Sequence, residues 1–270
     1  DVGSGKTIVA ILSAALAAGN NSQVAVMAPT EILASQHFDA FKKELSKARV
    51  TCCLLVGKMN KKDRDKIITN IQNGKITVVI GTHALIQKDV EFEKLRLVII
   101  DEQHRFGVDQ RNKLTNKGKS PHLLCMTATP IPRTLSITYM GDMDLSIIDE
   151  LPKNRIPVTT KIIDPNRLEK VYSFMNKQID DGLQCMVVYP LVEESEKSDL
   201  AAAVEMYNYL KKNTFSRHSV GLIHGKMNSE EKKTIMNRFK QNEIQVIIST
   251  TVIEVGIDVC LLYTSDAADE

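Results

Sequence analysis

The sequence has few cysteines and no long hydrophobic run. None of its five cysteines is spaced as C-x-x-C and three fall in apolar runs, so we expect reduced core residues rather than a zinc site or disulfides. The longest apolar stretch, IVAILSAALAA, contains a serine and is too short to span a bilayer. No secretory signal is visible in these residues. These absences argue against a membrane-embedded or disulfide-stabilised protein and lead us to expect a cytoplasmic one.

The sequence also has almost no excess of positive over negative charge. Lys and Arg number 35 against 33 Asp and Glu, a net charge of +2. This balance does not identify a partner, because a basic groove can lie on a nearly neutral protein. At 270 residues, 43% hydrophobic and 25% charged, the composition is typical of a globular protein with a substantial core and excludes a disordered chain.

Short apolar segments rich in β-branched residues alternate with longer segments of helical period, which predicts parallel α/β sheets. A charged, proline-flanked stretch, DELPKNRIPVTT, interrupts this alternation, and the pattern then restarts. We therefore expect a first domain over 1–150, a linker over 151–158 and a second domain over 159–260. The strand candidates are QVAVMA, VTCCLLV, ITVVI, LRLVIID, HLLCMT, QCMVVYP, SVGLIHG and IQVIIST. The helix candidates are residues 31–47, 61–73, 168–180, 199–212 and 229–241.

The first seven residues are DVGSGKT. Their last three, Gly-Lys-Thr, match the end of the phosphate-binding loop motif G-x-x-x-x-G-K-[ST]. Gly3, Ser4 and Gly5 can turn backbone N–H groups toward phosphates, and the helix that follows points its positive end at the same anion. Lys6 would reach the β- and γ-phosphates, and the Thr7 hydroxyl would bind Mg²⁺. A glycine-rich turn can be purely structural, but such a turn does not need Lys followed by Thr.

A pair of acidic residues follows the apolar segment LVII. Asp101 and Glu102 should lie at the carboxyl edge of the sheet, where open α/β sheets bind ligands. Asp101 could hold Mg²⁺ together with Thr7, and Glu102 could orient and deprotonate a water, which fits hydrolysis better than transfer. The alternative is a solvated strand end. His104 is either an ordinary loop histidine or, being next to this pair, a sensor or coupling residue.

The motifs occur in an order that resembles superfamily 2 helicases. DVGSGKT, APTEILASQH, GTHAL, DEQHRFGVDQR and TATPIPRT resemble the first motor domain, and VVYPLVEES, GLIHGKMNSEEK and STTVIEVGIDV resemble the second. Within that superfamily DEQHRFGV, GDMDLSIIDELPKNR and YPLVEES resemble RecG-type DNA helicases, which remodel branched DNA in recombination and repair. Transcription-repair coupling factors share the HRFGV segment but match the others less well. The resemblance extends from residue 1 to about residue 259.

The resemblance implies two RecA-like domains of the P-loop NTPase fold, the second incomplete, that use ATP and Mg²⁺. It implies that Asp101 and Glu102 are the magnesium-binding and water-activating carboxylates. Gln103 and His104 match positions that sense the γ-phosphate. Other roles are implied for three groups of residues: coupling of hydrolysis to movement for Thr127 and Thr129, nucleotide binding for Gly256 and Asp258, and contact with the DNA backbone for Pro29, Thr30, Gly81, Thr82, Ser249 and Thr250.

Both ends depart from the helicase pattern. The glycine that opens the phosphate loop would lie one position before the first residue, and after Val259 the chain continues as CLLYTSDAADE instead of an arginine-rich final motif. We therefore expect an internal fragment with a non-native tail at 261–270. The favoured function is a monomeric, DNA-dependent ATPase motor. The alternatives are a nucleotide- or DNA-binding module that cannot turn over, and a phosphate-loop kinase or other transferase.

Overall fold

The chain divides into two compact units, Asp1–Asn154 and Arg155–Glu270. The computed structural model describes residues 4–57, 59–128, 143–150, 159–189 and 196–250. The predicted linker at 151–158 and the predicted tail at 261–270 lie outside these residues, so the domain boundaries and the tail stay predictions. Within the described ranges no helix combines the length and the apolar character that a membrane span needs.

The first unit is built on a parallel sheet whose strand order is β2-β3-β1-β4-β5. Four of the five strands fall inside segments predicted from the sequence, and β3 extends one residue, Gly81, beyond the predicted segment ITVVI. The strands are β1 (Gln23–Met27), β2 (Cys52–Leu55), β3 (Val78–Gly81), β4 (Leu95–Ile100) and β5 (His122–Cys125). Because the strands run in the same direction, their carboxyl ends meet at one edge of the sheet.

Helices cover both faces of this sheet: α1 (Lys6–Gly19), α2 (Glu31–Leu45), α3 (Lys61–Gln72) and α4 (Val108–Thr115). Along β1, Val24 and Val26 pack with α1 and α2, whereas Ala25 and Met27 pack with α3 and α4. Every residue of β1 is therefore buried. Burial on both faces explains why this strand is a continuous apolar run rather than an alternating one.

Helix α2 is positioned by its N-terminus and by one apolar face. The Oγ1 of Thr30 accepts a hydrogen bond from the Leu33 N–H at 3.2 Å, which caps the helix start. The buried residues of α2 recur at helical spacing, as the sequence pattern predicted; they are Leu33, Ala34, His37, Phe41 and Leu45.

The second unit contains a parallel sheet in the order β6-β8-β7. Its described elements are α5 (Leu168–Asp180), β6 (Cys185–Tyr189), α6 (Glu196–Tyr209), β7 (Val220–Ile223), α7 (Ser229–Lys240) and β8 (Val246–Thr250). The predicted helix over 199–212 is present, but its type changes: α6 ends at Tyr209 and a π-helical turn, Leu210–Thr214, follows. A π turn brings together residues that are five positions apart, and here these residues are Leu210 and Phe215, which are both fully buried.

The same buried glutamine contact occurs in both units. The Nε2 of Gln23 donates to the carbonyl oxygens of Ile71 and Ile76, each at 2.8 Å, and so holds the connection between α3 and β3. Gln184 makes the matching pair of contacts to the connection between α7 and β8, at 2.6 and 2.8 Å. Each amide satisfies carbonyl groups near the amino ends of the strands in its own sheet.

Candidate functional site

The predicted phosphate loop lies at the start of α1. Gly5 precedes the helix with a φ of 93°, in the left-handed region that glycine enters without a Cβ clash. Among the described residues no side chain caps this helix end, so its first N–H groups point out of the helix as an anion site requires. The Lys6 ammonium lies 3.4 Å from the Oγ of the buried Ser4, and Thr7 follows in the first turn. Gly3 lies outside the described residues.

The predicted acidic pair lies directly after β4, between the ends of β1 and β5. Asp101 and Glu102 are only 7% and 4% exposed, so they are not a solvated strand end. The Asp101 N–H donates to the Met27 carbonyl at the end of β1 at 2.9 Å. On the other side, the Gln103 N–H donates to the Met126 carbonyl at 3.2 Å. Backbone hydrogen bonds to both neighbouring segments thus fix this turn.

Both carboxylate oxygens of Asp101 have a donor. Oδ1 accepts the Glu102 N–H at 3.0 Å, and Oδ2 lies 2.7 Å from the Nε2 of His37. His37 is 5% exposed and lies on the buried face of α2. Sequence reasoning missed this residue, although it stands in the quoted segment APTEILASQH. Its one signal is that a histidine occupies a helix position whose neighbours on the same face, such as Phe41, are apolar.

Glu102 combines a strained backbone with an unsatisfied side chain. Its φ is 50°, a left-handed conformation that is uncommon for a residue with a Cβ. Its Oε2 is buried and has no hydrogen-bond partner among the described residues. The Nδ1 of His104 lies 3.5 Å from this oxygen. Strain and an unsatisfied acceptor in one residue are typical of functional sites.

His104 lies between this glutamate and the segment after β5. Its Nδ1 is 3.5 Å from the Oε2 of Glu102 and 3.5 Å from the Oγ1 of Thr127. Gln103 is 7% exposed, and its Oε1 has no hydrogen-bond partner within the described ranges. The structure therefore brings Glu102, His104 and Thr127 together. Thr129, the second predicted coupling residue, lies outside the described residues.

The donor atoms available for a metal are oxygens. The Thr7 hydroxyl and the Asp101 carboxylate are hard ligands of the kind that Mg²⁺ prefers, and the buried Oε2 of Glu102 lies in the same acidic turn. No group of three or more His, Cys, Asp or Glu side chains in the described part of the chain could hold a metal ion. This set fits Mg²⁺, which keeps several waters and shares its remaining positions with nucleotide phosphates.

The predicted DNA-contacting residues of the first unit lie where two strands end. Pro29 and Thr30 precede α2 and are half-buried. Gly81 ends β3, where a Cβ would stand 2.2 Å from the Leu55 carbonyl oxygen, so glycine is required by close packing. Thr82 is 2% exposed and its Oγ1 has no hydrogen-bond partner among the described residues.

The predicted DNA-contacting residues of the second unit end β8 and are buried. Ser249 and Thr250 are 0% and 3% exposed, and the Ser249 hydroxyl donates to the Thr250 carbonyl at 2.6 Å. Direct contact of these two side chains with DNA therefore stays a prediction. The predicted nucleotide-binding residues Gly256 and Asp258 lie outside the described residues.

Two family descriptions match this chain. The DEAD/DEAH box helicase model matches residues 1–137, and the helicase conserved C-terminal domain model matches residues 166–262. The chain is similar to the ATP-dependent DNA helicase RecG of Thermotoga maritima, with 48% identity over 259 residues, covering 96% of this chain and 33% of that protein. It is 51% identical over 261 residues to RecG of Aquifex aeolicus, with the same coverage.

A solved structure of RecG bound to a three-way DNA junction is also similar. It has a TM-score of 0.74 and 44% identity, and the match covers 98% of this chain and 34% of that one. These similarities confirm the predicted fold class of two RecA-like parallel-sheet domains. The chain spans about a third of the length of the curated relatives described here.

Proposed function

This chain belongs to the DEAD/DEAH box helicase family, and from that premise we propose that it forms the ATP-hydrolysing motor of a RecG-like DNA helicase. The observation that carries the proposal is the buried pair Asp101 and Glu102 at the carboxyl edge of β4, with a Glu102 oxygen that accepts no hydrogen bond from the described residues. A structural turn gains nothing from a buried, unsatisfied carboxylate. A hydrolase uses such a carboxylate as a base.

In the proposed reaction, Glu102 accepts a proton from water as the water oxygen attacks the γ-phosphorus, and ADP leaves with the electrons of the broken P–O bond. Lys6 and the N–H groups at the start of α1 bind the phosphates. Thr7 and Asp101 would hold Mg²⁺, which supplies positive charge against the phosphate oxygens. Gln103 would sense the γ-phosphate from its place beside Glu102.

Coupling between hydrolysis and movement would begin at His104. Its ring lies 3.5 Å from both Glu102 and Thr127, so a change at the glutamate reaches the segment that follows β5. We propose that this contact, continued through Thr129, transmits the state of the γ-phosphate. The switch would be the binding and release of nucleotide rather than a change in the fold.

The substrate that we propose is branched DNA, held through its backbone. Support comes from the RecG structure with a three-way junction, which is 44% identical to this chain. We propose a monomer acting in recombination and repair. A cytoplasmic location is supported by the free thiols of Cys52, Cys53, Cys125 and Cys185, as expected in a reducing compartment.

Two binding measurements on this chain test the proposal. A fluorescent ATP analogue should bind in the presence of Mg²⁺, and a fluorescein-labelled three-way junction should bind with an affinity that falls as salt is raised. An unbranched duplex of equal length is the matched control for the junction. Failure to bind nucleotide would contradict the motor assignment, and nucleotide binding without DNA binding would contradict the substrate.

A further inference from the structure

The contact between His37 and Asp101 has no place in the function described so far. Its two atoms, the Nε2 of His37 and the Oδ2 of Asp101, are 2.7 Å apart and belong to residues 64 positions apart in the chain. The His37 ring packs edge-on against Phe41, with ring centroids 6.3 Å apart and planes at 85°. One side of the imidazole is thus fixed by the core, and the other is directed at the carboxylate.

The direction of this hydrogen bond follows from its partners. An ionised carboxylate can only accept, so Nε2 carries the hydrogen and donates to Oδ2. The other oxygen of Asp101 already accepts the Glu102 N–H at 3.0 Å. With a donor on each oxygen, the carboxylate cannot rotate freely about its terminal bond. Each oxygen retains a lone pair for a further ligand.

Packing alone does not explain a histidine here. The other buried residues of α2 are apolar, and His37 is the one polar member of that face. An aliphatic residue of similar size would fill the space without burying a polar ring. The feature of the imidazole that an aliphatic side chain cannot replace at this position is its N–H donor.

We propose that His37 is a positioning residue for Asp101: by donating to Oδ2 it holds the carboxylate in the orientation that binds Mg²⁺ with the nucleotide. This inference rests on the proposed function. Outer partners that orient a metal ligand typically contribute about 10- to 100-fold in metal affinity or activity. Loss of the N–H should therefore weaken the Mg²⁺-dependent part of nucleotide binding and leave the Mg²⁺-independent part unchanged.

The test compares dissociation constants of a fluorescent ATP analogue, measured on this chain in Mg²⁺ and in EDTA. His37→Leu removes the donor and keeps the packing on Phe41, and His37→Gln returns an N–H at about the position of Nε2. We expect His37→Leu to weaken binding in Mg²⁺ by about 10-fold or more with little change in EDTA. His37→Gln should recover most of that loss. His122→Leu, at an exposed histidine that begins β5, is the control and should bind like the parent.

Three outcomes would overturn the inference. The first is equal weakening of His37→Leu in Mg²⁺ and in EDTA, which would indicate a purely structural role. The second is parental binding by His37→Leu under both conditions. The third is failure of His37→Gln to bind better than His37→Leu. The variant Lys6→Ala separates this inference from the proposed function. If Lys6→Ala and His37→Leu both bind nucleotide like the parent, the assignment of the nucleotide site is wrong. If only His37→Leu binds like the parent, the positioning role of His37 alone is wrong.

Discussion

Replacement of Glu102 by glutamine should abolish hydrolysis while leaving the nucleotide site and the fold intact. Gln has the same length and can still orient a water, but it cannot accept a proton. Loss of a general base costs a factor of about 10² to 10⁴, which corresponds to roughly 2.7 to 5.4 kcal/mol in the activation barrier. Nucleotide affinity should stay within a few-fold of the parent, because Lys6, Thr7 and Asp101 are unchanged.

The effect of Glu102→Gln on stability is small because two opposing contributions are similar in size. The substitution removes a carboxylate that is 4% exposed and has one oxygen without a hydrogen-bond partner among the described residues. It adds a buried amide N–H group, and such a group costs about 1–3 kcal/mol when it finds no acceptor. The backbone strain at a φ of 50° is the same for both residues. We expect the free energy of unfolding to change by less than about 2 kcal/mol.

The assay is ATP hydrolysis by a graft, in which the aligned segment of this chain replaces the corresponding segment of Thermotoga maritima RecG, its relative of 48% identity. Glu91→Gln, at an exposed glutamate of the same unit, is the matched control. Hydrolysis by Glu102→Gln within a few-fold of the parent would refute the reasoning and show that the base is elsewhere. A loss of nucleotide binding together with hydrolysis would show that Glu102 holds the site together instead of acting on water.

Three further results are expected. Lys6→Ala should weaken binding of the ATP analogue by roughly 10- to 100-fold, as expected for loss of a charge-assisted hydrogen bond, and parental affinity would contradict the phosphate-loop assignment. Gln23→Ala should lower the free energy of unfolding by about 2–4 kcal/mol, because two carbonyls lose their donor. The control Gln72→Ala, at an exposed glutamine, should change it by less than about 0.5 kcal/mol. Equal denaturation midpoints for the two variants would contradict this prediction. Burial raises the pKa of the Cys53 thiol to about 12 and that of the Cys185 thiol to about 11, so above pH 9 the folded state keeps protons that the unfolded state loses. The free energy of unfolding should therefore fall as pH rises above 9. A Cys53→Ala, Cys185→Ala double variant should show a shallower fall.

Much of the fold could be predicted because its signal is local. β1 and β3 are buried on both faces and appear as short apolar runs, and β4 ends at Ile100 just before the predicted acidic pair. The change from α-helix to π-helix after Tyr209 could not be predicted. The helical period continues through Leu210, and only burial of Phe215 against the core favours a π turn there.

The candidate site was predictable in its chemistry but not in its contacts. Asp101 and Glu102 follow from a carboxylate pair after a buried strand, whereas the left-handed backbone of Glu102 has no sequence signal because glutamate rarely adopts it. The hydrogen bond from His37 depends on how α2 packs beside the end of β4, which no local pattern encodes. The buried Gln23 contact was missed for the same reason.

The central claim is that this chain is a DNA-dependent ATPase motor, and one measurement tests it most directly. ATP hydrolysis by the graft is followed as a three-way DNA junction is added, with Lys6→Ala as the inactive reference. We expect hydrolysis to rise with junction concentration, to reach saturation, and to be absent in Lys6→Ala. A rate that the junction does not change, or one that Lys6→Ala retains, would contradict it.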